Sequence, residues 1–186
     1  MLLDVMVYSL IIGLLRRRRW EGLATLPIKK VGLIILAFLI QFILVFFGER
    51  NCQLFSKIGI YLHIFSYILL LVALWYSKEI KGMKIIGIGV LINFIVILAN
   101  GGQMPVSAKA LLKAEMNDML PLLNSKSYVV HTLLTEKSHL KFLADIIPLP
   151  PPYPRTRVLS IGDIVMGAGL FILIQCNMSK KRSRDF

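Results

Sequence analysis

Residues 58–76 read IGIYLHIFSYILLLVALWY, a run with one histidine, one serine and no charge. As a helix rising ~1.5 Å per residue it covers about 28 Å, close to the ~30 Å of a bilayer's hydrocarbon core. Trp75 and Tyr76 close the run, as aromatic residues do at a membrane interface. The run reads as a membrane span, and the neighbouring sequence repeats the pattern. Residues 31–47 are apolar except for Gln41, and residues 85–100 carry Gly87, Gly89, Asn93 and the terminal Asn100 against an apolar background. Residues 2–15 and 158–175 are further runs of this kind.

The composition agrees with that reading. Of the 186 residues, 56% are apolar and 17% charged, with a mean hydropathy of +0.72. Soluble domains average about 25% charged. The expected fold class is all-α: a polytopic helical bundle of about five transmembrane helices, forming a single membrane domain over residues 1–186. The net charge of +12 does not point to nucleic acid, because the basic residues stand in short blocks between apolar runs. Blocks of that kind set membrane orientation.

Arg16, Arg17, Arg18 and Arg19 follow the first apolar run, whereas a secretory signal carries its charge before it. Residues 2–15 therefore read as a short first span with its N-terminus outside, an interfacial helix being the competing reading. Lys29, Lys30, Lys78, Lys81, Lys84 and the tail residues Lys180, Lys181, Arg182 and Arg184 then fall on the cytoplasmic side. The short outer loop holds Arg50 and Lys57 against Glu49. Five spans, N-terminus out and C-terminus in, satisfy the positive-inside rule at every short loop. Cys52 and Cys176 fall on opposite sides, out of reach of a disulfide.

Residues 101–157 form one long extracytoplasmic segment. Gly101 and Gly102 stop the preceding helix. Ser107 is placed to cap a helix through residue 120, with Leu111, Leu112, Met116 and Met119 as its apolar side and Pro121 as its end. A second helical piece is expected within residues 138–146. Residues 148–154, rich in proline, are expected in an extended polyproline-like strut.

With this topology the polar groups inside the spans gather toward the outer end. Asp4, His63, Asn100, Gln103 and Asp163 all lie there, whereas Gln41 and Asn93 are nearer the middle. Polar side chains in lipid face protein or water. Asn100, Gln103, His63 and Asp4 are accordingly expected to bind a ligand in an outward-facing pocket roofed by residues 101–157. Simpler roles stand beside this one. Ser160 and Asp163 have the spacing of a capping box, Asp145 is near Arg155, Arg157 and Lys141 in sequence, and Asp4 is near the water interface. His131 and His139 are eight apart without cysteine nearby, so no metal site and no cofactor is expected.

The stretches NGGQMPV at 100–106, LADIIPLP at 143–150 and SIGD at 160–163 resemble the motifs of a family of small bacterial multipass membrane proteins with no assigned function. That resemblance implies a bacterial plasma membrane. More locally, Leu143-Ala144-Asp145 and Ser160-Ile161-Gly162-Asp163 are similar to the aspartate pair of lipoprotein signal peptidase. The similarity implies a catalytic dyad of Asp145 and Asp163, although that family's Asn-x-Ala-Asp is Ser-Ile-Gly-Asp here.

Three function classes follow. The first is a membrane protein that binds a lipid, an extracytoplasmic peptide or a partner membrane protein in its outer pocket. The second is a membrane aspartyl peptidase, and the third a small transporter or channel.

Overall fold

The computed structural model describes residues 2–48, 54–124 and 128–180. Glu49, Arg50, Cys52, Lys181, Arg182 and Arg184 lie outside the described residues. Eight α-helices are present among the described residues: α1 (Leu2–Leu15), α2 (Glu21–Ala24), α3 (Val31–Gly48), α4 (Leu54–Tyr76), α5 (Met83–Ala99), α6 (Ala108–Lys113), α7 (Met119–Asn124) and α8 (Ile161–Asn177). The chain is thus mostly helical. The run Ile58–Tyr76 is long and apolar enough to cross a membrane. The other apolar helical runs, Leu2–Leu15, Val31–Phe47, Met83–Ala99 and Ile161–Asn177, are 10–17 residues long.

Helix α4 packs between α3 and α5, and α8 packs between α5 and α1. The closest crossing, α5 on α8, depends on glycine. A Cβ on Gly89 would stand 2.6 Å from the Gly162 carbonyl oxygen, and one on Gly169 would stand 2.6 Å from the Ile86 nitrogen. Leu74, Val90, Leu173 and Ile174 fill the core below. Helix ends follow local chemistry. Ser107 Oγ accepts the Ala110 N–H at 3.3 Å, and Gly101 and Gly102 take φ of +70° and +92° where α5 terminates.

Two poles result. At one, Arg18–Arg19 (β1) pairs antiparallel with Ser179–Lys180 (β6), and Asn177 Nδ2 donates to the Lys81 carbonyl at 3.3 Å. The Lys29 N–H meets Ser77 Oγ at 3.0 Å near the end of α4. At the other pole lies the long connection 101–157.

That connection corrects the all-α expectation. Met104–Val106 (β2) pairs in parallel with His131–Leu133 (β3), and Ile147–Leu149 (β4) pairs antiparallel with Arg157–Leu159 (β5). Val106 also bridges Asp145 in parallel. Strands of three residues carry no readable alternation, and their pairing is tertiary. The expected helix through 120 stops at Lys113, and Pro121 does not end a helix. It sits in the first turn of α7, where a missing N–H breaks no intrahelical bond. Only a short 3₁₀ turn, Lys141–Leu143, forms within 138–146. Pro148 lies in β4 opposite Val158 instead of in a free strut. Helix α8 starts at Ile161, not 158, because residues 157–159 are β5 and Ser160 is the N-cap.

Candidate functional site

The strand clasp delivers two residues from distant parts of the chain to the top of the bundle. Pairing of β2 with β3 sets His131 beside Met104, and the bridge to Val106 sets Asp145 two residues further along the same strand. Backbone bonds hold that bridge: the Asp145 N–H donates to the Pro105 carbonyl at 3.0 Å, and the Ser107 N–H to the Asp145 carbonyl at 2.9 Å. His131 Nε2 then faces Asp145 Oδ2 at 3.6 Å. That separation is too long for a direct hydrogen bond.

Below the clasp is a chamber of about 80 Å³. Its polar wall is His63 and Tyr67 from α4, Asn93 from α5, Asp163 from α8, and His131 and Asp145 from the clasp. At ~30 Å³ per water it has room for two or three. His63 is 1% exposed, and its Nδ1 is 2.7 Å from the Gly102 carbonyl. A carbonyl only accepts, so Nδ1 carries the hydrogen, and in the neutral ring Nε2 is the acceptor. The positive φ of Gly102 aims that carbonyl back at α4, and a Cβ there would meet Ile60 Cγ2 at 2.4 Å. The His63 and Tyr67 rings meet edge to face at 5.3 Å, and Tyr128 stacks on His131 at 5.8 Å.

Asp163 is anchored by a closed ring of bonds. Its Oδ2 accepts the Ser160 N–H at 3.0 Å while Ser160 Oγ accepts the Asp163 N–H at 3.0 Å, a complete capping box. Asp163 Oδ1 accepts from Asn93 Nδ2 at 3.1 Å, and Asn93 Oδ1 accepts from Ser160 Oγ at 2.9 Å. Capping and facing the chamber are therefore roles of one carboxylate. Asp145 is held differently. It is 6% exposed, and burial pushes its carboxyl well above the usual aspartate range, with nearby Asp163 adding to the effect. Burial also lowers His131 to about 4, with His63 contributing. Both shifts favour the uncharged forms, an acid at Asp145 beside an imidazole at His131.

These shifts act in opposite directions on stability. An unfolded histidine binds its proton below about 6.5, whereas folded His131 stays neutral down to about 4. That group makes stability rise with pH across the window. An unfolded aspartate loses its proton near 3.8, whereas folded Asp145 keeps it well above that, so stability falls as pH rises. Relative to the parent, Asp145→Asn is expected to tilt stability upward between pH 4 and 6.5, and His131→Asn downward. Each change is at most about 1.4 kcal/mol per pH unit. Thermal unfolding in detergent across this window measures both tilts, and parental profiles in both variants would count against the neutral pair.

A second, apolar cavity of about 190 Å³ shares the His131–Asp145 wall. Leu111, Met116, Met119 and Leu123 from the loop helices line it, with Arg157 at its edge. Arg157 pairs with Asp4 at 3.2 Å, joining the start of α1 to β5.

Of the residues expected from sequence, His63, Asp145 and Asp163 line the chamber. Asn100 and Gln103 are spent on backbone. Asn100 Nδ2 donates to Val96 and His139 carbonyls at 2.8 and 3.0 Å while its Oδ1 accepts the His139 N–H, and Gln103 Nε2 donates to the Tyr128 carbonyl at 2.8 Å. Asp4 is placed against Arg157. Sequence reasoning missed His131, Tyr67 and Ser160 as members of the site. Ser160 had a signal in its capping spacing; His131 had none, since its place depends on strand pairing. Among the described residues, no group of three or more His, Cys, Asp or Glu side chains is arranged to hold a metal ion.

The profile of a family of unknown function, DUF5317, matches residues 25–175, which include every residue lining both cavities. The chain belongs to that family. It is also 36% identical over 107 residues to an uncharacterized protein of Thermotoga maritima. That match covers 58% of this chain and 58% of the relative, less than two thirds of its length. No solved structure matches the chain. Helix α1 and Asp4 precede the part matched by the DUF5317 profile, whereas the chamber lies wholly within it.

Proposed function

We propose that this DUF5317 protein is a multipass protein of a bacterial plasma membrane that binds an amphiphile, a lipid or an apolar peptide, at its extracytoplasmic pole. Five helices cross the bilayer, with the N-terminus outside and the C-terminus inside. Large apolar side chains exposed along the helices support this, among them Phe38, Phe42, Tyr61, Ile88 and Ile95. So does the gathering of Arg18, Lys29 and Lys81 at the pole opposite the clasp. Helices shorter than the ~30 Å core are accommodated by local thinning and by snorkelling of flanking basic residues.

The observation that carries the binding reading is the wall shared by the two cavities. An apolar segment of ligand occupies the methionine-lined cavity, and its polar end meets Asp145, His131 and the chamber waters. A tail alone would not need a buried acid, and a free ion would not need the apolar cavity. Purified protein in detergent is expected to unfold roughly 5–10 °C higher at saturating fatty acid or signal-like apolar peptide. Met119→Trp, which fills the cavity, is expected to abolish the shift. If neither ligand class moves the parental transition, the reading fails.

A second reading, a membrane aspartyl peptidase, is favoured by one observation. Asp145 and Asp163 line the same small chamber, and burial favours the protonated form of Asp145. Asp163 would activate a water while protonated Asp145 polarises the scissile carbonyl. Cleavage of an apolar peptide, lost in Asp145→Asn, separates this reading from binding alone.

A further inference from the structure

About 18 Å from the chamber along α4, counting twelve residues from His63 to Trp75 at ~1.5 Å each, the bundle carries a groove that the binding reading does not use. It lies between α4 and α5 and encloses about 480 Å³. Its polarity is graded along the helix axes. Leu71 and Leu74 of α4 and Ile88 and Leu91 of α5 form the deep end, and Lys78 and Lys84 flank the mouth. The Lys78 ammonium sits 3.9 Å from the centre of the Trp75 ring, which is 68% exposed. A neighbouring depression of about 570 Å³ wraps the other side of Trp75 and adds Lys29. Glu79 lines both, leaving three lysines against one carboxylate.

Gly87 opens the groove. A Cβ there would have a single neighbour within 4 Å, Leu74 Cβ at 4.0 Å, so glycine at this position is not required by a close helix contact. Gly89, two residues on and so on the opposite face of α5, is required by one. The absence of a side chain at 87 keeps the space between α4 and α5 open.

Resting on the membrane reading, we propose that this groove binds one anionic phospholipid, an acyl chain lying between α4 and α5 and the phosphate at Lys78 and Lys84. Charge complementarity and the axial gradient select this occupant. A zwitterionic lipid would leave the lysine cluster uncompensated, and a soluble anion would leave the apolar end empty. Basic residues near a bilayer surface favour anionic headgroups by about fivefold for each lysine.

Trp75 reports on the site directly. The chain has two tryptophans, so Trp20→Phe leaves Trp75 as the sole indole. The full-length Trp20→Phe protein is reconstituted in phosphatidylcholine vesicles with brominated phosphatidylglycerol or brominated phosphatidylcholine of matched chains. Phosphatidylglycerol is expected to quench Trp75 at an at least fivefold lower mole fraction. Adding Lys78→Gln with Lys84→Gln is expected to make the two lipids equal. Adding Gly87→Leu, which fills the groove and leaves every charge in place, is expected to remove the preference as well.

Equal quenching in the Trp20→Phe protein overturns the proposal, and so does a preference that survives Gly87→Leu, which would report only a diffuse surface field. Alkaline carbonate extraction of the same vesicles separates the two failures. Protein that resists extraction but shows no preference refutes the lipid site alone. Protein that is extracted and unquenched by either lipid refutes the membrane reading, and the site with it.

Discussion

Gly89→Ala is expected to destabilise the protein by about 3 kcal/mol, the upper end of the range for overpacking a tight core. The new Cβ would lie 2.6 Å from the Gly162 carbonyl oxygen and 2.7 Å from the Met166 nitrogen. Both are backbone atoms of α8, so no rotamer change relieves the contact and the helices must separate. Gly162 leaves no slack on the other side: its own Cβ would stand 2.0 Å from Asn93 Oδ1 and 2.8 Å from the Gly89 carbonyl. Alanine gains about 1 kcal/mol over glycine in helix propensity, which offsets only part of the cost. Thermal unfolding in detergent should fall by roughly 6–12 °C. Gly32→Ala is the control. Nothing lies within 4 Å of its Cβ, so alanine there should be neutral or slightly stabilising. A Gly89→Ala protein as stable as the parent would mean that α5 and α8 do not cross this closely.

Asp163→Ala is the second large effect, again about 3 kcal/mol. The substitution removes a capping box, costing about 1 kcal/mol. It also leaves the Ser160 N–H and the Asn93 amide without their acceptor in a region where Asn93 is 4% exposed and Ser160 is 0% exposed. Each stranded buried donor costs about 1–3 kcal/mol, and water entering the space recovers part of that. Asp163→Asn should fall between alanine and parent. One amide oxygen replaces two acceptor oxygens, and the new NH₂ must face either Ser160 N–H or the Asn93 NH₂. Asp145→Asn is the informative contrast. An amide resembles the protonated acid that burial favours there and does not ionise in the unfolded chain, so Asp145→Asn should not destabilise the protein at pH 7, while the ligand-induced shift in unfolding temperature is lost. Equal destabilisation by Asp163→Ala and Asp145→Asn would erase this distinction between a carboxylate anchored by hydrogen bonds and a buried acid facing His131.

Much of the helical framework is legible from composition because apolar runs and their caps are local. The run 2–15 coincides with α1, 31–47 with all but the last residue of α3, and 85–100 is displaced from α5 by one or two residues. Ser107 and Ser160 cap where hydroxyl spacing places them, and Gly101 and Gly102 take the left-handed backbone that ends α5. The errors cluster in residues 101–157, where the apolar spacing of Leu111, Leu112, Met116 and Met119 fits one long helix but the chain forms α6 and α7 with a break between them. A proline in a first turn looks like a stop, and a proline in a three-residue strand looks like a strut.

The candidate site divides along the same line. Asp163 was identifiable because its cap is made within four residues. The partnership of Asp145 with His131 was not, since both are brought to β2 from segments fourteen or more residues apart, and parallel pairing leaves no local mark. Asn100, Gln103 and Asp4 looked like site residues from their depth alone. Tertiary structure directs the first to the His139 backbone, the second to the Tyr128 carbonyl and the third to Arg157. Local sequence thus determined where the helices lie, since hydrophobicity and capping act over a few residues. Only the tertiary structure decided which polar groups share the chamber, because that depends on backbone hydrogen bonds and glycine-permitted crossings between distant segments.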